Sequence, residues 1–531
     1  MTTAGGSAGV GRAATGMGVA AAASRVLGGA RVLVVAAVLG TTYLGDAFEG
    51  ANALPTVVFE LLAAGALSAV LVPTFTRLFD CGEVAEATRR AGGLLGVALL
   101  GLGTLAVLGI VFAPDIAEIL VSYGSGSSAE LAARQDLTTT LLRFFLPQLV
   151  LYPFGFLAIA LLNARRVFAL PAAAPIANTI VVVTALLIFW AVAGPDPGVR
   201  LDGWEIAILG LGGTLGVAAF VAVPTIALRR QGVPLRPRFG GRDPEVVALL
   251  RLSGWAVLQH SGGALLLGAA IILGAATEGG VVAYRVAFYI FLAPYGILAQ
   301  PIHTAVHPEL SAEARDHDLD AFGRSMRWAL DSMSLVVLPA SAALVAFAAP
   351  AMSVVAFGAA DTGDGVSLMA AGVASLAVGL FGYGCFRLQA AGWYALDDSR
   401  TPALVGVGSA LGGVLFMVVM APRFDGAALV AVLGLGHSLA FTVGALVLGL
   451  GLWRRTGQTL VPRLFGRCLA ASVIIGLVVW EIIGRWDPSG RLATAAAIIV
   501  LAIAGGGAFF GLVRWRHWVP EARGPLMGAT A

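Results

Sequence analysis

Six ionisable side chains lie inside or at the ends of long apolar stretches. They are Arg25, Arg31, Asp46, Glu60, Arg285 and Arg387. A charged side chain at the centre of a bilayer costs roughly 2.5–3.5 kcal/mol on insertion scales, so such residues face a partner or a water-filled cavity. The arginine guanidinium is a planar fork that suits phosphate and carboxylate oxygens. The pattern therefore predicts a cavity within the membrane that binds an anionic molecule.

The two arginines nearest the amino terminus, Arg25 and Arg31, lie six positions apart in the first apolar stretch. At 100° per residue, their side chains point about 120° apart on a helix. We expect both to contact an anionic substrate, either across a wide cleft or through a bend at Gly28 and Gly29. The alternative for Arg25 is that its guanidinium extends to the membrane interface.

Two acidic residues follow in the same region, which is predicted as two apolar helices joined by a short turn around Tyr43–Asp46. Glu60 lies within the second apolar stretch, where an ionised carboxylate needs a partner. Either an ion pair with Arg31 or a proton-linked role would meet this need. Asp46 has two interpretations: it caps the second helix, or it closes an outer gate.

The remaining two arginines lie in the second half of the chain. Arg285 precedes Pro294 and Pro301, which are predicted to break its helix and release carbonyl groups that need partners in protein or water. Arg387 is expected to face the cavity or to pair with another helix. The histidines near Arg285 lack a carboxylate or cysteine partner nearby, so no metal site is predicted.

The composition places these residues in a membrane protein. The chain has 531 residues, of which 58% are hydrophobic and 12% charged, whereas soluble domains carry about 25% charged residues. We predict an all-α integral membrane protein with about fourteen transmembrane helices. The predicted spans are 18–41, 47–77, 90–113, 137–163, 168–193, 204–228, 247–274, 279–307, 325–349, 365–395, 401–421, 426–452, 464–484 and 492–513.

The loop arginines indicate the orientation of the chain. Alternate loops, counted from the amino terminus, hold 23 arginines, and the opposite loops hold five. Because arginine concentrates on the cytoplasmic side, both termini are predicted to be cytoplasmic, in the cell membrane.

The two halves of the chain resemble each other. Pro73, Pro114 and Pro171 match three prolines that follow 231 to 236 residues later, at 308, 350 and 402. Six helices per half give both halves the same orientation, so we expect a parallel repeat of two six-helix lobes around a central cavity. The predicted domains are an N-lobe (1–228), an arginine-rich linker (229–251), a C-lobe (252–453), two extra helices (454–517) and a cytoplasmic tail (518–531).

The segments SRVLGGAR, LGTTYLGDAF and ALPTVVFELLAAGALSAVLVPTF, and later LAPYGILAQPIHTAVHPELS, resemble motifs of the MurJ/MviN lipid II flippases. That family belongs to the multidrug/oligosaccharidyl-lipid/polysaccharide exporter superfamily. The resemblance implies translocation of a lipid-linked peptidoglycan precursor from the inner to the outer leaflet by alternating access. It implies that Arg25, Arg31 and Arg285 hold the diphosphate, that Asp46 is the family's hairpin aspartate, and that the two extra helices hold the lipid tail.

This chain departs from many family members in ways that make the cavity less basic. Phe59 and Glu60 replace arginines, Ala64 replaces a glutamate and Val32 replaces an aspartate. Tyr289 replaces a further arginine, and Arg285 lies one helical turn earlier, a displacement of about 5.4 Å that a long arginine partly covers. The alternatives are therefore a polysaccharide-lipid transporter or a drug/cation antiporter of the superfamily, which Glu60 would favour. A non-transporting scaffold for cell-wall synthesis enzymes is a third interpretation.

No sequence motif of an enzyme is present, and there is no phosphate-binding loop for ATP. We therefore predict a transporter without enzymatic activity or a cofactor. The energy source is expected to be a monovalent cation gradient or the membrane potential, which supplies about 2.3 kcal/mol per unit charge at 100 mV. The expected partners are an anionic lipid-linked precursor, membrane lipids and cell-wall synthesis proteins, with no role for nucleic acid.

Overall fold

The computed structural model describes residues 23–61, 71–124, 126–195, 197–240, 243–244, 246–247, 254–486 and 490–518. Within these ranges the regular structure is helical, and no β-strand is present. The chain divides into two compact units, one ending at Val282 and one beginning at Ala283. The predicted all-helical membrane fold is confirmed, while the lobe and linker boundaries drawn from the sequence stay a prediction.

The first unit is built around two long helices that lie side by side, α8 and α9, with α7 packed against α9. The second helix of the chain, α2, contacts α6, α7 and α10. The helices are α1 (23–39), α2 (Tyr43–Phe59), α3 (Leu71–Asp80), α4 (Val84–Val111), α5 (Ala113–Val121), α6 (Ser128–Phe145), α7 (Gln148–Ala164), α8 (Ala169–Ala193), α9 (Gly203–Arg230) and α10 (Gly254–Gly274), with α11 (Gly280–Pro294) starting at the end of the unit.

The second unit is centred on its longest helix, α18, which packs against α15, α16 and α17. Helix α13 lies between α12 and α19, and the short α14 contacts α20. The elements after α11 are a π-helical turn (Tyr295–Ala299), α12 (Gln300–Arg315), α13 (Leu319–Ala346), α14 (Ala348–Val355), α15 (Gly365–Val378), α16 (Leu380–Ala395), α17 (Arg400–Met420), α18 (Gly426–Thr456), α19 (Phe465–Trp486) and α20 (Arg491–Trp515).

Among the described residues, ten helical segments are long and apolar enough to cross a membrane. An eleventh is obtained when α15 and α16, which bend by 44° at their junction, are counted as one span. These segments coincide with eleven of the predicted spans. The other three predictions, 18–41, 47–77 and 247–274, each include residues outside the described ranges, so the total of fourteen stays a prediction.

The internal repeat is visible in the order of the helices. A shift of 235 residues carries the bounds of α4 onto those of α13 and the start of α5 onto the start of α14. In both units a single residue, Phe112 or Phe347, separates the long helix from the short one. The repeat inferred from matched prolines is therefore present in the helix boundaries as well.

A face of small residues on α4 receives the chain that follows α9. The backbone N–H of Arg238 donates a 2.9 Å hydrogen bond to the carbonyl of Gly92. A Cβ atom at Gly92 or Gly96 would overlap the carbonyl oxygens of Arg236 and Arg238. The linker is therefore the element that packs against Gly92 and Gly93.

We expect Gly96→Ala to lower the free energy of unfolding by about 1–3 kcal/mol, because the new methyl group displaces the linker backbone. The matched control is Gly101→Ala on the same helix, where the added Cβ meets no atom within 4 Å. That change should be neutral or stabilising by up to about 1 kcal/mol through helix propensity. Thermal unfolding in detergent measures both, and equal melting temperatures for the two variants would contradict the packing argument.

Candidate substrate-binding residues

The first-helix arginines differ in their surroundings. Arg25 is exposed, whereas Arg31 is half-buried and its Nη1 donates a 3.2 Å hydrogen bond to Oδ1 of Asn178 on α8. This hydrogen bond to a neutral amide fixes the position of the guanidinium, whose planar fork suits an anionic ligand. The sequence prediction missed Asn178, whose only signal is an amide within the apolar run of α8.

Asp46 is buried, with 7% of its surface exposed, and it joins two distant parts of the first unit. Its Oδ2 accepts a 2.8 Å hydrogen bond from the N–H of Gly279, and its Oδ1 accepts one of 3.0 Å from Val282. Gly279 has a φ of +75°, and a Cβ there would overlap the backbone of Thr41, so both constraints favour glycine. The carboxylate thus fastens the start of α11 to the start of α2.

The capping interpretation of Asp46 is wrong. The turn lies earlier than predicted, at residues 40–42, and α2 begins at Tyr43. Thr42 is the N-cap residue, and its hydroxyl accepts a hydrogen bond from Gly45. Asp46 lies one turn into the helix and bonds to a segment more than 230 residues away. The gate interpretation stays a prediction.

A buried arginine lies near Asp46. Arg134 was placed in an outer loop by the sequence interpretation, but it lies in α6 and is 8% exposed. Its guanidinium stacks on the ring of Tyr43. Both side chains line a small cavity of about 30 Å³ together with Asp46 and Thr138. The helix starts nine residues before the predicted span, at a capping box formed by Ser127 and Glu130, which explains the error.

A buried polar network connects α2, α7 and α9. Gln148 is completely buried, and its amide donates hydrogen bonds to Asn52 at 3.2 Å and Thr214 at 3.4 Å. Its carbonyl oxygen accepts from the hydroxyl of Tyr152, which lies 3.0 Å from that of Thr56. Side-chain hydrogen bonds of this kind hold transmembrane helices together where the hydrophobic effect cannot.

We expect Gln148→Ala to destabilise the protein by about 2–4 kcal/mol, because buried partners on two neighbouring helices lose their hydrogen bonds. Gln135→Ala is the matched control, since this amide makes a single exposed bond to the carbonyl of Pro114. The control should stay within about 0.5 kcal/mol of the native protein. Chemical unfolding followed by tryptophan fluorescence compares them, and a similar loss in both would contradict the network's role.

Glu60 lies at the end of α2 and is half-buried. Its backbone N–H bonds to the carbonyls of both Thr56 and Val57, and the backbone turns π-helical at residues 60–61. Residues 62–70, which follow it and include Ala64, lie outside the described ranges. The proposed ion pair and the proton-linked role of Glu60 both stay predictions.

In the second unit both arginines lie beside tyrosines. Arg285 on α11 is half-buried, with its guanidinium carbon 5.5 Å from the ring centroid of Tyr289. Arg387 on α16 is half-buried and hydrogen-bonds the side chain of Tyr295. The ring of Tyr295 meets that of Tyr383 edge to face, with centroids 4.7 Å apart. A phenol ring next to a guanidinium group stabilises the cation and helps to orient it.

The predicted helix break near Arg285 takes a milder form. The segment is helical from Gly280 to Arg315, and the prolines are accommodated by a π-helical turn at Tyr295–Ala299 directly after Pro294. Pro301 lies in the first turn of α12, where its missing N–H is not needed. The prolines therefore change the winding of the helix but do not end it.

The last two helices form an apolar groove with α13. The groove encloses about 260 Å³, and its lining includes Val336, Ala343, Ile475, Val479, Leu501 and Phe509. The start of α19 is held by Asp331 on α13, whose Oδ1 accepts a 2.9 Å hydrogen bond from the N–H of Leu464. A long hydrocarbon chain is the kind of ligand that such a lining suits.

The fold matches that of solved membrane transporters. An inward-facing multidrug resistance MATE family transporter of the MOP superfamily aligns with a TM-score of 0.64 at 15% sequence identity, over 82% of this chain and 94% of its own. This likeness, with the repeated units and the apolar spans, defines a multi-pass membrane protein with the fold of that transporter superfamily.

More similar proteins identify the family. The structure of lipid II flippase MurJ in the inward closed conformation aligns with a TM-score of 0.72 at 17% identity, over 94% of this chain and 99% of its own. The probable lipid II flippase MurJ of Rhizobium tropici is 27% identical over 92% of this chain and 90% of its own length. The family profile "Lipid II flippase MurJ" matches residues 35–501. The chain belongs to this family, as its motifs indicated.

Proposed function

We propose that this protein moves lipid II, an anionic lipid-linked peptidoglycan precursor, from the cytoplasmic to the outer leaflet of the cell membrane. Membership of the MurJ family over residues 35–501 is the observation that carries this proposal. The chain acts as a carrier and not as an enzyme, and both termini lie in the cytoplasm, in keeping with the loop arginines. Cell-wall synthesis proteins are its expected neighbours in the membrane.

In this mechanism arginines bind the diphosphate and the groove beside α13 binds the polyprenyl chain. Arg25, Arg31 and Arg285 contact phosphate oxygens, and Arg387 contributes to the same positive field. Arg31 donates a hydrogen bond to the amide of Asn178 and Arg387 contacts the phenol of Tyr295, and the planar guanidinium of each suits phosphate oxygens. The two lobes then rock about the bound headgroup, as in other transporters built from repeats.

The energy for the cycle comes from the membrane potential or from a monovalent cation gradient. A unit charge moved through 100 mV changes the free energy by about 2.3 kcal/mol, enough to bias the direction of a cycle roughly 50-fold. Glu60 is the candidate site for a coupling proton or cation in the first unit. A drug/cation antiporter would need an acidic cavity, and among the candidate cavity residues Glu60 is the single carboxylate that favours it.

The direct test is replacement of an authentic lipid II flippase in cells depleted of their own. We expect this protein to restore growth and the appearance of lipid II in the outer leaflet. Loss of growth despite normal membrane abundance would contradict the proposal and favour a non-transporting scaffold. Drug export that depends on Glu60, without lipid II export, would favour the antiporter.

We expect Arg285→Ala to reduce lipid II flipping about tenfold or more, because a charge-assisted hydrogen bond to phosphate contributes about 1.5–3 kcal/mol. Arg454→Ala, which removes an exposed arginine from the end of α18, is the matched control and should flip at the native rate. Proteoliposomes with equal amounts of each protein provide the measurement. An unchanged rate for Arg285→Ala would remove this residue from the site.

A further inference from the structure

The segment that links α9 to the second half of the chain is held as a fixed arm along α4. We call residues 233–240 the linker arm. At its start, the N–H of Val233 bonds to the carbonyl of Leu228, and Arg165 donates a 2.8 Å hydrogen bond to the carbonyl of Gln231. In its middle, Arg238 bonds to Gly92 through the backbone. Just beyond it, Asp243 forms an ion pair with Arg89.

Val233 at the start of the arm packs into the core, and the backbone at Arg236 and Arg238 lies against the glycine face of α4. Arg236, Arg238 and Phe239 are all exposed, and Phe239 exposes 74% of its surface. The backbone that carries Phe239 is held in place, yet its ring is largely exposed. This combination indicates a surface that contacts an apolar partner. Two more exposed arginines, Arg229 and Arg230, end the neighbouring α9.

Within the described ranges, the positive charge of this surface is not balanced by ion pairs. Among the described residues, the guanidinium groups of Arg229, Arg230, Arg236 and Arg238 make no ion pair or hydrogen bond. Two acidic residues of the described chain on this side of α4 pair with other arginines: Glu86 with Arg89 and Arg90, and Asp243 with Arg89. The arm therefore presents several positive charges that attract an external anion.

The level of the linker arm along α4, relative to a bilayer, indicates which anion it meets. At 1.5 Å per residue, Gly92 and Gly96 lie about 12 and 18 Å from the start of α4, a helix about 42 Å long. Helix α4 is polar up to Arg90 and apolar from Ala91 onward. Since a bilayer is about 40–45 Å thick with a hydrocarbon core of about 30 Å, the arm lies where headgroups meet acyl chains. Phosphate groups of lipids occupy this level.

We propose that the linker arm is a binding site for anionic phospholipids of the arginine-rich, cytoplasmic side of the membrane. Arg236 and Arg238, aided by Arg229 and Arg230, bind the lipid phosphates, and Phe239 inserts beside the acyl chains. The ligand is a bulk membrane lipid and not the transported precursor, so this site is separate from the proposed carrier function. A soluble phosphate compound is disfavoured because Phe239 would then stay in contact with water.

The test is lipid binding by the full-length protein in neutral detergent, measured by native mass spectrometry. Phosphatidylglycerol and phosphatidylcholine are titrated against the native protein, Arg236→Gln/Arg238→Gln and Phe239→Ser. One arginine near an anionic surface strengthens binding roughly fivefold, so the double variant should bind phosphatidylglycerol about 25-fold more weakly. The matched control is Arg454→Gln, which removes an exposed arginine on the same predicted side and should bind like the native protein.

Two further measurements distinguish electrostatic lipid binding by the arm from non-specific lipid binding and from a general loss of function. Binding of phosphatidylglycerol by the native protein should weaken as salt rises from 50 to about 300 mM, because exposed charges are screened. Lipid II flipping in phosphatidylcholine vesicles should be unchanged in the double variant, whatever the carrier function proves to be. Equal binding of both lipids by the native protein, or an equal loss in Arg454→Gln, would overturn the assignment.

Discussion

Replacement of Asp46 by alanine should strongly destabilise the first unit. The expected loss is about 3 kcal/mol, because two buried N–H groups lose their hydrogen-bond acceptor at once. The stability of Asp46→Asn should lie between that of the native protein and that of Asp46→Ala. An amide oxygen can accept one of the two hydrogen bonds, but the NH₂ group then faces the other N–H donor. Thermal unfolding of the purified protein, with flipping measured on the same preparations, gives both results.

The matched control for Asp46 is Glu278→Gln. Glu278 precedes Gly279 and is exposed, so removing its charge should change stability by less than about 0.5 kcal/mol. If Asp46→Ala melts at the native temperature, the fastening of α2 to α11 by this carboxylate is not a determinant of stability. If it melts normally but does not flip, the gate interpretation gains support instead.

Arg31→Ala should cause the largest loss of transport with little loss of stability. The arginine is half-buried and donates a hydrogen bond to Asn178, and as a candidate phosphate ligand its loss should affect the bound substrate more than the fold. We expect flipping to fall about 10- to 100-fold, as for a lost charge-assisted hydrogen bond. Arg31→Lys should recover part of the rate, because an ammonium keeps the charge but not the planar fork.

Asn178→Ala is the companion variant, because it keeps the cation and removes the group that orients it. Its flipping rate should fall less than that of Arg31→Ala, by about threefold to tenfold. Flipping is measured in proteoliposomes that contain equal amounts of protein. A native rate for Arg31→Ala, or a greater loss in Asn178→Ala than in Arg31→Ala, would contradict a direct role of Arg31 in binding.

The parts of the fold predicted from the sequence are those recorded in local patterns. Apolar runs gave eleven spans that coincide with observed helices, and matched prolines indicated a repeat that the bounds of α4 and α13 reproduce. Both depend on residues close together in the chain. Arg31, Arg285 and Arg387 stood out because charge in an apolar run is improbable without a function.

The parts that could not be predicted depend on contacts between distant residues. Asp46 meets Gly279 and Val282, and the network of Gln148 draws on three helices. Nothing near these residues in the sequence identifies their partners. Arg134 was misplaced for a different reason: the polar start of α6 resembles a loop, and only its capping box indicates that the helix begins there.

The π-helical turn after Pro294 has a consequence for rotational register. A π-helical turn contains one residue more than an α-helical turn, so it rotates everything beyond it by about 100° relative to an uninterrupted helix. The faces of α12 are therefore offset from the face of α11 that carries Arg285. Deleting one residue between Tyr295 and Ala299 would realign the two segments while leaving every side chain of α11 in place. The π-helical turn thus determines which residues of α12 lie on the same face as Arg285, and sequence composition does not show this.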